Sequence, residues 1–369
     1  MKRVIASMAD TLREIAGTRA LWSTMVVAVL FYAFYYPAPY RHQSVTDLPI
    51  AVVDEEGSEA TRRIIARLDD TPELAVVARV ANEAEALRLV RAREVDGVLR
   101  LSSGLTDRIL TGSGQGGISL QVNGAYLVRA QAVAGALEAV VIEEVRELSA
   151  RTGIDVGVEL VVRPLFNTTR GYGDYIFPAV SVVILQQTLL FGAAMLAARR
   201  RATGREDRDL ASLAGTLSAL TLIGIVGALF YFGPVFWLLD MPRGGNNGAL
   251  LLAVPLFSLC VAALGLAIGR LLDEGDRAME LLVPTSLVVF FLSGAAWPSE
   301  MMPTWVNLVA FLSPATHGVP LFLGLNQAGA SLAEVSGPFW RLAFLTLLGL
   351  LLASPALKSQ KLESRRQAG

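Results

Sequence analysis

Hydrophobicity along the chain follows two patterns. In the first, apolar residues run for about twenty positions without a charge, at 20–40, 175–198, 210–239, 244–269 and 281–299, and a last apolar stretch covers about 339–357. A bilayer core about 30 Å thick takes about 20 helical residues, and a charge at its centre costs roughly 2.5–3.5 kcal/mol on insertion scales. The runs therefore predict six spans, at about 20–40, 175–198, 210–232, 248–270, 280–298 and 339–357. Arg341 enters the last of them near its outer end, where a long side chain reaches the headgroups at little cost. In the second pattern, from Leu48 to Arg163, short β-branched runs alternate with amphipathic stretches. That alternation predicts strands at 49–53, 74–80, 97–101, 118–122 and 158–162 and helices at 58–68, 83–93 and 125–150. The fold class that follows is an α-helical membrane protein with six transmembrane helices and an α/β extracytoplasmic domain, 41–173, inserted between the first and second spans. A domain of roughly 120 residues is large enough for its own core.

Ahead of the first span, Ile5, Met8, Leu12 and Ile15 recur at helical spacing, with Arg3, Asp10, Arg13 and Glu14 off the stripe. Residues 1–19 thus read as an amphipathic helix, lying along the inner membrane surface or standing as a short cytosolic helix. The acids in this leader, and the lack of a small-residue cleavage pattern after Tyr36, favour an uncleaved span over a signal peptide.

Charge sets the orientation. Lys2, Arg3, Arg13, Arg19, Arg199, Arg200, Arg201, Arg205, Arg208, Arg270, Arg277, Lys358, Lys361, Arg365 and Arg366 fall on one side of the spans, whereas the short segments of the other side hold Arg243 and Arg341. The positive-inside rule then puts both termini, including a tail at 358–369, in the cytoplasm. The arginines of the inserted domain do not contradict this, because long domains translocate largely regardless of charge.

Composition agrees with a bilayer environment: 53% of the 369 residues are hydrophobic and the mean hydropathy is +0.50, against roughly 45–50% apolar content in soluble domains. A net charge of −1 offers no concentrated basic surface for nucleic acid. Cys260, the single cysteine, rules out a disulfide framework and reads as a small buried hydrophobe.

The chemistry of an enzyme is not legible. The chain has no nucleophile elbow, no zinc-binding H-E-x-x-H and no Walker lysine loop, and its histidines, His42 and His317, do not form a metal pattern. The spans lack the internal Asp, Glu or Lys that ion-coupled carriers use, so active transport would need an energy source outside the chain. Gly112, Gly114, Gly116 and Gly117 lack the flanking strand, helix, lysine and hydroxyl of a phosphate loop and read as a turn. Asn167-Thr168-Thr169 is a chance match to a glycosylation tripeptide. Gln186, Gln187 and Thr188 sit midway along the second span, where an unpartnered amide in lipid is costly. They either hydrogen-bond between helices or line a substrate path. Gly265 and Gly269 have the spacing that lets helices approach closely.

The order of parts, with several local strings, resembles the type 2 permease family of ATP-binding-cassette exporters. The strings are Leu48-Pro-Ile-Ala-Val-Val-Asp54 followed by Ser58 and Arg62-Arg63, Asp96-Gly-Val98, Leu165-Phe-Asn167 with Tyr175-Ile-Phe-Pro178, Ser293-Gly294-Ala-Ala-Trp297-Pro298 with Met302-Pro303, and Leu312-Ser-Pro314. Asn167, Pro178, Ser293, Gly294, Trp297, Pro298 and Pro314 are the family-like positions. The resemblance implies a permease, not an enzyme, working as a homodimer or as a heterodimer with a similar chain in a bacterial inner membrane. It would bind no cofactor itself, while separate ATPase subunits carry ATP and magnesium. Hydrophobic or amphipathic molecules, drugs or lipid-like compounds, would be exported, with a periplasmic adaptor and membrane lipids as further partners.

By the same resemblance, Arg199, Arg200, Arg201, Arg205, Glu206, Asp207, Arg208 and Asp209 would dock the ATPase together with the leader helix, near Asp273, Glu274 and Arg277. The stretch 299–336, broken by Pro303, Pro314 and Pro320, would form short helices dipping into the outer leaflet. The 199–209 segment departs from the family by lacking an acidic Glu followed by Gly-Thr. Two rivals stand beside this reading: a membrane-anchored receptor or assembly factor acting through the inserted domain, and a secondary carrier.

Overall fold

The computed structural model describes residues 1–40, 46–92, 94–107, 117–122, 127–152, 172–241, 243, 245–272, 275–297 and 299–355. They fall into two compact units, a larger one holding the described residues of Met1–Arg41 and Gly173–Gly369 and a smaller one holding those of His42–Pro164. Asn167, Pro298, Asp273, Glu274, Gly112, Gly114, Gly116, the strand expected at 158–162 and the tail at 358–369 lie outside the described residues.

The larger unit begins with α1 (Lys2–Gly17) and α2 (Arg19–Tyr35), joined at Thr18, whose extended backbone (φ −107°, ψ 108°) turns the chain by 91°. Helix α1 buries Thr11 and Ile15 but leaves Ile5 59% exposed. Its protein-facing side is therefore offset from the apolar stripe, part of which stays open. In α2 a π turn at Ser23–Val27 carries the buried Met25, which occupies the space a side chain at Gly192 would need.

Among the described residues, the smaller unit forms a four-stranded sheet of β1 (Leu48–Asp54), β2 (Leu74–Val80), β3 (Gly97–Leu101) and β4 (Ile118–Val122), in the order β2-β1-β3-β4. β1 runs parallel to β2 and β3, and β4 antiparallel to β3. Central β1 buries both faces, so it reads as a continuous apolar run rather than an alternating one. Ile50 and Val52 pack with Leu99 and Leu101 beneath α3 (Glu59–Asp69) and α5 (Leu127–Thr152). Ala51, Val53 and Val98 pack with Ala86 of α4 (Glu83–Ala92) on the other face. Ser58 caps α3 by accepting from the Thr61 amide at 3.1 Å, an arrangement worth about 1 kcal/mol.

The rest of the larger unit is helical: α6 (Tyr172–Ala202), α7 (Leu210–Leu238), α8 (Asn247–Gly269), α9 (Gly275–Leu292), α10 (Thr304–Phe311), α11 (Pro314–Gln327) and α12 (Ser336–Ala353). Among the described residues, α6, α7, α8 and α12 are long and apolar enough to cross a membrane, and the number rises to six if the bent pairs α1–α2 and α10–α11 each count as one span. The fifth apolar run forms a helix that stops at Leu292 rather than 298, because Ser293 and Gly294 (φ 80°) form a turn in which the Ser293 hydroxyl accepts from the Ala295 amide at 3.3 Å. The last helix ends at Ala353 rather than 357: Ser354 is extended, and the Pro355 that follows disfavours a helical conformation there. Pro234 sits in a π turn of α7, Tyr231–Val235, and the helix continues past the expected 232.

Helix α6 is the hub. Its most apolar window is 83% buried inside the structure, against 28% for α12. Gly265 and Gly269 of α8 lie against it, and a Cβ at Gly265 would come within 2.7 Å of the Ala193 methyl carbon. Between apolar helices in lipid, such close approach replaces the hydrophobic driving force of a soluble core.

Candidate functional site

At the end of α6 three arginines follow one another, and helical geometry sends them in different directions. Arg199 and Arg201 are exposed, whereas Arg200 turns inward and is 8% exposed. Two helix ends converge on Arg200. Its Nε donates to Glu14 Oε2 of α1 at 3.0 Å, Nη2 to the Thr11 hydroxyl at 2.8 Å, and Nη1 to the Thr216 hydroxyl of α7 at 2.8 Å. Asp207 returns from the connecting loop to within 3.5 Å of Nη1 and accepts from the Thr216 hydroxyl at 3.1 Å. One buried guanidinium thus faces two carboxylates, and its rigid fork makes a single side chain the joint of three elements.

The loop is shaped for this. Gly204 adopts a left-handed conformation (φ 68°), and the Arg205 amide donates to the Arg200 carbonyl at 2.8 Å, closing the end of α6. Asp209 then caps α7 by accepting from the Ser212 amide at 2.7 Å. That backbone hydrogen bond, aided by the charge of Arg3, holds the Asp209 carboxyl below the usual aspartate range. Against the first turns of α7, the Ser7 hydroxyl donates to the Ser212 carbonyl at 2.8 Å, and Gly215 leaves room for the α1 backbone at Val4. Arg201 donates to the Arg270 carbonyl at the end of α8, and Arg270 to the Ala353 carbonyl at the end of α12. Cations at helix C-termini suit the helix dipole.

The eight residues expected to dock an ATPase are therefore divided. Arg200 and Asp207 are held inside, Glu206 is half-buried, and Arg199, Arg201, Arg205, Arg208 and Asp209 stand exposed. Thr11, Glu14 and Thr216 were not among the sequence candidates. The available signal was a second helical stripe on the leader, Ser7, Thr11 and Glu14, running beside the apolar one.

The mid-helix polar group separates as well. Gln186 is buried, and its Oε1 accepts from the Ser313 hydroxyl at 3.3 Å and from the Ala315 amide, so it supplies the acceptor at the start of α11, where Pro314 opens the helix. The Gln187 amide donates to the Ser286 carbonyl of α9 at 2.8 Å. The Thr188 hydroxyl bonds back to the Ile184 carbonyl of its own helix at 2.9 Å. Pro178 lies inside α6, where its carbonyl accepts from the Ser181 hydroxyl at 2.7 Å. Trp297 is exposed. The side chain of Arg277 is outside the described residues. Among the described residues no group of three or more His, Cys, Asp or Glu could hold a metal ion.

The sequence model of one protein family, described as ABC-2 family transporter protein, matches residues 19–354. Over 336 residues the chain is 21% identical to the probable multidrug ABC transporter permease YbhR of Escherichia coli strain K12, covering 89% of this chain and 90% of the relative. Over 351 residues it is 23% identical to the inner membrane transport permease YhhJ of the same strain, covering 92% and 91%.

Proposed function

The chain belongs to the ABC-2 family of transporter proteins, and from that premise we propose that it is the permease subunit of an ATP-driven exporter, moved by a separate ATPase that docks on α1 and the 199–209 loop. The family and its relatives make it a membrane-embedded transport protein rather than an enzyme, and membership implies an ABC ATPase partner. The sequence contains no Walker loop with which to hydrolyse ATP itself.

The observation that carries the docking reading is the Arg200 joint. Rigid-body motion of an ATPase reaches the spans only through connections stiff enough to transmit it. A buried cation bonded to α1, to the loop and to α7 makes those parts one solid piece. Around it, Arg199, Arg205 and Arg208 stand exposed and present a basic rim. In this reading both termini are cytoplasmic, the protein sits in a bacterial inner membrane, two permease subunits enclose the path, and a hydrophobic or amphipathic substrate leaves outward, with a periplasmic adaptor as a further partner. The smaller α/β unit would then be extracytoplasmic.

The test is co-purification of the tagged chain with its ATPase from native membranes. R205E/R208E, which reverses charge on the exposed rim and leaves Arg200 in place, should reduce the recovered ATPase at least about fivefold at unchanged permease yield. Undiminished ATPase on this variant removes the loop from the docking surface, and capture of extracytoplasmic proteins alone would return the receptor reading.

A further inference from the structure

The bond from Arg270 to the Ala353 carbonyl fixes the far end of α12 close to the Arg200 joint, because Arg201 bonds the Arg270 carbonyl. Arg341, twelve residues earlier on the same helix, lies about 18 Å along the axis, toward the opposite end of the unit. There it lines a cavity of about 780 Å³ walled by α10, α11, α12 and the turn after α9. Phe311, Val319, Pro320 and Leu323 supply the apolar wall. Three polar side chains of the lining, Asn307, Thr316 and His317, are spent on protein carbonyls. Asn307 donates to Ser299 at 3.0 Å and to Met302 at 3.2 Å, Thr316 donates to Leu292 at 3.2 Å, and His317 Nε2 donates to Phe311 at 2.9 Å.

Arg341 is different. Among the described residues it makes no ion pair or hydrogen bond, and none of the described side chains lining the cavity is acidic. Arg341 is exposed in the second turn of α12, near the end of its span, where its guanidinium is open to an anion or to water. Its planar fork matches phosphate and carboxylate oxygens two at a time. A cavity of this size lies in the range of small-molecule sites, mostly apolar with one charged group to fix orientation.

We infer that this cavity binds an anionic amphiphile, with the Arg341 guanidinium holding its phosphate or carboxylate head and the Phe311–Leu323 wall holding the start of its hydrocarbon chain. The shared chemistry is an acidic head on an apolar tail, whether it comes from a lipid of the surrounding leaflet or from a single-chain amphiphile leaving the protein. The inference requires only that the chain be embedded in a membrane.

The full chain, purified in a neutral detergent, is examined by native mass spectrometry with lysophosphatidylglycerol and with lysophosphatidylcholine of the same chain length. Preference for the anionic lipid should be about tenfold, the scale of a charge-assisted hydrogen bond. R341Q should abolish the preference and R341K should retain part of it. L323W, which narrows the cavity and keeps the charge, should weaken both lipids alike. Diacyl phosphatidylglycerol that survives purification and competes for the site identifies a resident lipid; competition by the single-chain lipid alone identifies an amphiphile in transit. Equal binding of the two head groups by wild type, or a preference unchanged in R341Q, overturns the inference and leaves Arg341 as a side chain reaching bulk headgroups. Binding is read without an ATPase, so the export reading can fail while the site stands, and the reverse.

Discussion

Each unit contains a buried charge between two opposite ones, and the two arrangements are mirror images. In the helical unit the cation Arg200 lies between Glu14 and Asp207, all three side chains about a tenth exposed. In the α/β unit the carboxylate of Glu144, 1% exposed, lies between Arg63 at 3.3 Å and Arg67 at 3.1 Å, and Arg67 also reaches Glu147 at 2.6 Å. The arginines there remain about a third exposed. The Glu144 cluster joins α3 and α5, which are already fixed by a shared apolar core with the sheet. The Arg200 cluster ties α1 and the connecting loop to α7, and between membrane helices polar ties and close small-residue contacts carry more of the specificity. The same chemistry is therefore expected to be accessory in the α/β unit, which has its own apolar core, and structural in the helical one.

The sharpest way to break this comparison is R200M. It leaves Glu14 and Asp207 buried without their cation and should cost about 3–5 kcal/mol, as expected when one member of a buried pair is removed. Thermal unfolding in detergent would read it, and R200M/E14Q/D207N should recover more than half of the loss. If the single variant is as stable as wild type, the joint is not structural.

E144Q should cost less, about 1 kcal/mol, since the partially exposed Arg63 and Arg67 can turn to water and to Glu147. A loss as large as that of R200M, measured on the full chain, would erase the contrast between the units.

The smallest expected effect concerns the cap of α7. Asp209 is exposed, and its carboxyl lies below the ordinary aspartate value because the charged form accepts from the Ser212 amide. A depressed carboxyl contributes stability above its unfolded value, at about pH 4, and the contribution is lost as pH falls through the lower folded value. Amide exchange in the first turn of α7 should therefore speed up as pH drops below about 4, relative to the intrinsic rate. In D209N that acid dependence should vanish.

Much of the architecture was legible from the period of hydrophobicity. The four strands within the described residues, and the helices α3 to α5, lie where alternating and amphipathic runs put them, because each element buries a side that its own sequence marks. Gly265 and Gly269 likewise announced a close helix approach, though not which helix receives it. The helix stop at Ser293 and Gly294 was less legible, since apolar residues continue beyond it and hydropathy does not register backbone conformation. Among the site residues, the 199–209 segment stood out by its charge, but the inward turn of Arg200 and the recruitment of Thr11, Glu14 and Thr216 did not. Their separations of 189, 186 and 16 residues put most of this constellation beyond any local pattern.

The sequence by itself determined that this chain needs a bilayer, which segments avoid charge, and that an α/β unit interrupts them, because those properties are sums over neighbouring residues. Only the tertiary structure decided that one of three consecutive arginines becomes an internal joint, that Gln186 holds the start of α11, and that Arg341 faces a cavity without an ion partner among the described residues. Such roles depend on which side of a helix meets which neighbour, and a rotation of about 100° per residue gives adjacent, chemically identical side chains different environments.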